Sequence, residues 1–286
     1  MKEYQYQDVD RRGTLQRLDY VGANGVRKYA QVYLPFGYDT EPERRYDVLY
    51  LMHGGGGNPD TWLDSCPIKN MLDFAIASGE AKPLIVVFPC FYGTERRRGG
   101  AVDAPFEHQC VLTFQRELTE DLLPAAEGAF RTWAEGTDPA SLKRARDHRA
   151  FGGFSMGSVN TWYAFSLHFD YFSVFLPLSG DCWALDIMGG SKDSAGTARM
   201  LRDSVLSRGF GPEDFRIYAA TGTEDIACPN MTPQIEAMKA LDDVFRFSAD
   251  PGAGNFHFLL AEGMIHSYHD VCRYFYYYLP FLFIDR

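Results

Sequence analysis

The pentapeptide Gly153-Phe154-Ser155-Met156-Gly157 constrains this chain more than any other stretch, because a short apolar run, Ala150 to Gly153, leads into it and a helix-like run, Ser158 to Asp170, leads out. Small residues two positions either side of a serine let a strand turn sharply into a helix. The serine then sits on strained backbone and its hydroxyl stands clear of the sheet. Unpaired N–H groups at the start of that helix favour negative charge developing beside the hydroxyl. Glycine-rich turns arise for many reasons, so the pentapeptide acquires meaning only from what accompanies it, and in what order.

The surrounding pattern is one of alternation. Thr14 to Val21 and Lys28 to Leu34 read as two strands joined by a turn at Gly22-Ala-Asn-Gly25. Asp47 to Met52 and Leu84 to Phe88 are continuous apolar runs of the kind found in parallel strands buried on both faces, with a helical crossover at Met71 to Ser78 between them. A helix is expected from Val111 to about Trp133, and further strands at Val174 to Leu178, Phe215 to Thr221 and Phe256 to Ala261. The expected architecture is α/β: a mostly parallel sheet with helices on both faces and an N-terminal antiparallel hairpin. The 286 residues are compatible with one large domain over 1–286, in which 182–208 is expected to be an insertion that walls or lids a pocket.

Charge excludes some partners. A formal net charge of −10 argues against nucleic acid and anionic membrane surfaces, and the short cluster Arg96-Arg97-Arg98 reads as a solvated loop. No apolar run is long enough to span a bilayer, and Met1 to Thr14 is polar, without the pattern of a signal peptide or anchor. As it stands the chain is expected in the cytoplasm, or outside the cell where a signal has been removed. The six cysteines, Cys66, Cys90, Cys110, Cys182, Cys228 and Cys272, are scattered without metal-ligand spacing and read as buried thiols. Cys90 and Cys110 flank a loop and are the pair to watch in an oxidising compartment.

Three further stretches complete the chemistry that a serine nucleophile needs. The strand Asp47 to Met52 runs into His53-Gly54-Gly55-Gly56-Gly57, whose side-chain-free backbone can aim N–H groups at a developing oxyanion. Four consecutive glycines are costly in folding entropy, which favours a functional reason for them over an ordinary turn. Gly55 is the expected donor, with Gly56 as its near alternative and the N–H of Met156 as the second donor. His53 is expected to pin the loop. Downstream, a strand ends at Gly222-Thr223-Glu224-Asp225, and Glu224 and Asp225 compete as the acid that orients a histidine. The last strand ends at Glu262-Gly263-Met264-Ile265-His266, with His269 as the rival imidazole three residues on. The order serine, acid, histidine, each after its own strand, is hard to obtain by chance.

Together these residues resemble the esterase-D-type α/β-hydrolases of carbohydrate esterase family 1, which includes feruloyl and acetylxylan esterases. The likeness runs along nearly the whole chain: the His53 to Gly57 strand end, Phe114-x-x-Glu117-Leu118 to Leu123-Pro124, the Gly153 to Gly157 elbow, Ser179-Gly180-Asp181, Gly222-Thr223-x-Asp225 and Gly263-x-x-His266. It implies the α/β-hydrolase fold and favours Asp225 over Glu224 as the acid. One departure stands out, since Met264 occupies the place of a glycine commonly found before the histidine.

The resemblance implies a two-step acyl transfer by Ser155, His266 and Asp225 with Gly55 and Met156 as oxyanion donors, needing neither metal nor organic cofactor. It points to a small-molecule or oligosaccharide ester, ferulate or acetate on xylan, as the substrate. Trp62, Trp183 and Met188 are read either as the pocket wall or as core. The aromatic run Tyr274 to Phe283 is expected to pack as a helix on the sheet, and any exposed part of it is the expected surface for a homodimer. Two other classes stay open: a thioesterase or acyltransferase on the same fold, resembling S-formylglutathione hydrolase or the mycolyltransferases, and a non-catalytic carbohydrate-binding module.

Overall fold

The computed structural model describes residues 8–22, 25–93 and 103–284. The cluster Arg96 to Arg98 and the middle of the Gly22 to Gly25 turn lie outside the described residues. In chain order the elements are β1 (Thr14–Val21), β2 (Arg27–Leu34), β3 (Asp47–Met52), α1 (Thr61–Ser65), α2 (Ile68–Ala77) and β4 (Leu84–Phe88). Then follow α3 (Ala104–Glu117), α4 (Leu123–Ala129), α5 (Pro139–Arg144), β5 (Arg149–Phe154), α6 (Met156–Leu167) and β6 (Val174–Leu178). The chain closes with α7 (Gly189–Lys192), α8 (Ser194–Leu206), β7 (Arg216–Gly222), α9 (Cys228–Lys239), β8 (Phe256–Ala261) and α10 (Tyr268–Tyr278).

The eight strands form one sheet in the order β1-β2-β4-β3-β5-β6-β7-β8. β1 and β2 are an antiparallel hairpin in which Val21 faces Arg27, and β2 runs antiparallel to β4. From β4 to β8 every pairing is parallel. The apolar runs are buried on both faces because alternate residues enter different cores. Val48, Tyr50, Phe151 and Phe175 join Phe114, Val159, Leu201 and Ile235 on the side of α3, α6, α8 and α9. Leu49, Leu51, Ala150 and Leu176 join Trp62, Leu72, Val271 and Phe275 on the side of α1, α2 and α10.

Two helices differ from expectation for identifiable reasons. The helix expected over Val111 to Trp133 begins earlier, at Ala104, where Asp103 caps the Phe106 N–H and Pro105 occupies the first turn. It passes through a π-helical turn at Leu118–Leu122 and ends at Ala129. Pro124 lacks an N–H and its ring crowds the preceding turn, which a wider turn accommodates. The helix expected from Ser158 begins at Met156, directly against the serine. The 182–208 segment folds as α7 and α8, which pack on α9, and Asp193 caps the start of α8. Tyr274, Phe275 and Tyr278 of the aromatic C-terminal run are buried, and the Tyr278 hydroxyl donates to the Ala219 carbonyl at 2.6 Å. None of the six cysteines, Cys90 and Cys110 included, forms a disulfide. Among the described residues no helix is long and apolar enough to cross a membrane.

Candidate active site

The parallel strands β3 to β8 all finish at the same edge of the sheet, and the chemically interesting loops leave from there. Ser155 sits between β5 and α6 with φ 58° and ψ −116°, a conformation rare for a residue with a side chain. Its own N–H is tied to the Leu178 carbonyl at 2.9 Å, which fixes the turn against β6. The flanking glycines are there for space. A Cβ on Gly153 would meet the Gly157 backbone at 2.6 Å, and one on Gly157 would meet the Met52 carbonyl at 2.5 Å.

The Ser155 hydroxyl lies 2.9 Å from His266 Nε2, and His266 Nδ1 lies 2.7 Å from Asp225 Oδ1. Only a histidine with its proton on Nδ1 donates to the carboxylate and leaves Nε2 free to accept from the serine. Asp225 is buried and also accepts the Ala227 N–H at 2.7 Å, so its carboxylate is held as well as holding. Glu224 is exposed at the loop surface, and His269, with a side chain 83% exposed on α10, pairs with Asp270. The structure thus brings together Ser155, His266 and Asp225 and leaves both rivals outside.

Met264 takes the place of the commonly found glycine without distorting the histidine loop. Its carbonyl accepts the Glu224 N–H at 3.1 Å and its sulfur accepts from Arg273 at 3.4 Å. Gly263, with φ 69°, supplies the left-handed turn by itself. The Gly222 position must stay bare, since a Cβ there would lie 2.0 Å from the Met264 carbonyl.

The glycine loop after β3 is anchored at three of its four amides. The Gly54 N–H donates to the Tyr268 hydroxyl at 2.8 Å, that of Gly56 to the Tyr92 hydroxyl at 2.6 Å, and that of Gly57 to the Gly54 carbonyl at 3.2 Å. The Gly55 N–H has no acceptor among the described residues, and neither have the Met156 and Gly157 N–H groups at the start of α6. Unpaired donors on a fixed loop and on a helix start are what an anion requires. His53 is buried, hydrogen-bonds the Gly54 carbonyl through Nδ1 at 2.7 Å and stacks on Phe91, consistent with pinning.

Trp62 corrects the wall reading. It is 1% exposed, donates its indole N–H to the Met52 carbonyl at 3.0 Å and packs edge-on against Tyr268, so it belongs to the core beneath the loop. Trp183 is also largely buried, its N–H on Asp181 Oδ1 at 3.0 Å and its carbonyl accepting from the Tyr163 hydroxyl. Burial raises the Asp181 carboxyl above its ordinary value. Met188 is half-exposed, with φ 59° at the start of α7. Around the same edge Leu185, Ile226 and Ile265 are exposed apolar side chains beside Trp183, Asp225 and His266 in sequence.

Several supporting residues escaped the reading of the sequence. Tyr92 donates to buried Glu107 while it holds Gly56. Phe154 lies 4.5 Å from the His266 ring, and Asp270 accepts the Ile265 N–H at 2.9 Å. Tyr92 and Asp270 belong to no motif, and Phe154 stands inside the pentapeptide only as one of its variable positions. The one available signal was position, since Tyr92 follows a strand that ends at the same sheet edge.

The protein-family model for esterases matches residues 25–253. The chain is 40% identical over 272 residues to endo-1,4-beta-xylanase Y of Acetivibrio thermocellus, covering 95% of this chain and 23% of that protein. It therefore spans about a quarter of that relative's length. Among solved structures, a feruloyl esterase module from Clostridium thermocellum complexed with sinapinate is 39% identical with a TM-score of 0.84, over 97% of this chain and 90% of that one. S-formylglutathione hydrolase of Staphylococcus aureus shares the fold, with a TM-score of 0.62 at 14% identity over 95% of this chain and 99% of that one. With a strained serine between strand and helix, a mostly parallel sheet and a family match over most of its length, this chain belongs to the esterase family and has the α/β-hydrolase fold.

Proposed function

We propose that this protein is a serine carboxylic-ester hydrolase that releases ferulate or a related hydroxycinnamate from xylan or its oligosaccharides. The observation that carries this reading is the continuous relay from the Ser155 hydroxyl through His266 to Asp225, set beside the unpaired amides of Gly55 and Met156.

In the first step the Ser155 oxygen attacks the ester carbonyl carbon and its proton passes to His266 Nε2. Asp225 holds the ring and stabilises the imidazolium, and the Gly55 and Met156 N–H groups receive the oxyanion. Collapse of the tetrahedral intermediate breaks the bond to the leaving alkoxide, which takes the proton from His266. A water molecule then attacks the acyl-enzyme with His266 as base, and ferulate leaves with Ser155 restored.

The acyl group belongs on the side of β6 to β8, where Trp183 and Met188 with Leu185, Ile226 and Ile265 offer an apolar wall to an aromatic ring. The sinapinate bound to the Clostridium thermocellum module, a relative over nearly the whole of this chain, favours a hydroxycinnamoyl over an acetyl group. The test is turnover of methyl ferulate and of acetylated xylo-oligosaccharide, with ferulate and acetate measured separately. Strong ferulate release is expected; acetate release alone would replace the reading with an acetyl esterase, and release of neither would move the search to thioesters.

A further inference from the structure

β2 runs antiparallel to β4, so the start of β2 and the end of β1 stand at the same sheet edge as Ser155. Two cavities lie there. One, of about 200 Å³, is bounded by Arg27, Tyr29, Pro59, Tyr92 and Gly93, and thus lies against the outer side of the glycine loop that Tyr92 anchors. The other, of about 500 Å³, continues over the hairpin past Arg17, Asp19 and Val21. Both are lined by Arg27, Lys28 and Tyr29, so they adjoin along the start of β2. Together they reach the roughly 300–1,000 Å³ typical of ligand sites.

The groove has a rigid platform. The Tyr29 hydroxyl donates to Asp60 at 2.5 Å, Gln31 donates to the other Asp60 oxygen at 2.6 Å, and the Arg17 guanidinium lies 3.9 Å from the centre of the Tyr29 ring. Arg17 is itself held by Asp19 at 2.8 Å. These bonds tie the hairpin to the segment that follows the glycine loop and fix a flat aromatic and guanidinium surface before any ligand arrives. The exposed Arg27 guanidinium, by contrast, makes no hydrogen bond among the described residues, and its fork is available to hydroxyl oxygens. A fixed aromatic ring beside forked polar donors suits a sugar, whose C–H faces stack and whose hydroxyls accept.

We infer that this groove binds the saccharide chain on the alcohol side of the ester, several units from the bond that is cleaved. The inference rests on the proposed esterase function for its substrate class and adds a site to it. β2 is three strand spacings from β5, about 14 Å across the sheet. A short saccharide bridges that distance and a methyl alcohol does not. The acyl group and the chain that carries it thereby occupy opposite flanks of Ser155: apolar loops after β6, β7 and β8 on one side, the polar aromatic groove beside β2 on the other.

The test has two arms. In the first, kcat/KM is measured for a feruloylated xylo-oligosaccharide and for methyl ferulate, in the wild type and in Arg27→Ala and Arg17→Ala. The ratio of the two values is expected to fall about 5- to 10-fold on loss of the Arg27 hydrogen bonds, carried by KM for the saccharide ester. An unchanged ratio would overturn the inference. In the second, unesterified xylotetraose is titrated into the wild type and amide NMR shifts are followed. Shifts grouped at Arg27, Tyr29 and Gly93, lost in Arg27→Ala, are expected; no shifts, or shifts elsewhere, would overturn it. Because the second arm needs no turnover, it separates failure of the groove from failure of the esterase reading, which shows as no turnover of either ester by the wild type.

Discussion

The two ends of the parallel strands handle their polar groups in opposite ways. Where β5 begins, Arg149 is 1% exposed yet engaged through all three guanidinium nitrogens: it pairs with Glu127 through Nε and Nη2 and donates from Nη1 to the Leu142 carbonyl at 3.0 Å and the Tyr171 carbonyl at 2.6 Å. Glu127 in turn accepts from the Thr132 hydroxyl at 2.9 Å and the Tyr50 hydroxyl at 3.3 Å. Arg146 nearby donates to the Phe169, Phe172 and Asp214 carbonyls. Where β5 ends, the chain turns through a strained Ser155 and leaves the amides of Gly55, Met156 and Gly157 without acceptors among the described residues. Buried charges at the first end are satisfied because an unpaired one there costs several kcal/mol. Donors at the second end are left open, and under the proposed function a substrate oxyanion would complete them. One end of the sheet spends its polar groups on the fold, and the other keeps backbone donors uncommitted among the described residues.

Substitutions at the two ends should therefore separate activity from stability. The largest expected effect is Asp225→Asn, which leaves the geometry but favours the wrong histidine tautomer. kcat should fall by about 10⁴-fold with little change in the unfolding midpoint. An equal loss of stability and activity would merge the two ends. Next is Arg149→Met, which strands the buried Glu127 carboxylate. Denaturant unfolding should report a loss of about 3–5 kcal/mol, while kcat per folded molecule stays near that of the wild type.

His168, at the far end of α6 from Ser155, sharpens the contrast through pH. Burial pushes its imidazole down to about 4 from an ordinary value near 6.5. Between those values the unfolded chain binds a proton that the folded chain does not, so stability falls as pH falls through that window. The loss reaches at most about 3 kcal/mol near pH 4, and His168→Gln should flatten the wild-type curve over that interval. The smallest effect is expected at Tyr92→Phe. Removing the hydroxyl that anchors Gly56 should lower kcat by about 10-fold by loosening the oxyanion loop, with a minor change in stability.

The same contrast explains what was legible in the sequence. Strand positions were readable because continuous runs such as Asp47 to Met52 and Leu84 to Phe88 admit few alternatives when buried on both faces. Ser155, Asp225, His266 and the glycine loop could be singled out because acyl transfer by a serine would demand those residue types at strand ends. Tyr92, Tyr268 and Asp270, which hold those residues in place, were not, because a tyrosine hydroxyl 214 residues from the amide it accepts leaves no local pattern. Trp62 shows the converse. An aromatic residue close in sequence to the glycine loop turns its indole N–H into the core, and only the fold decides which way it faces. The early start of α3 and its π-helical turn follow from Asp103 and Pro124, two residues whose effect depends on what packs beside them.

Ser155 is proposed as the nucleophile, activated by His266 and set into a strained turn at the C-terminal sheet edge, beside amides that have no acceptor among the described residues. The most direct test of that role is covalent labelling with a fluorophosphonate, followed by mass spectrometry of the peptides. One equivalent of adduct is expected on Ser155 in the wild type and none in Ser155→Ala, with labelling that weakens in His266→Ala. Equal labelling of the wild type and Ser155→Ala, or an adduct on any other residue, would contradict it.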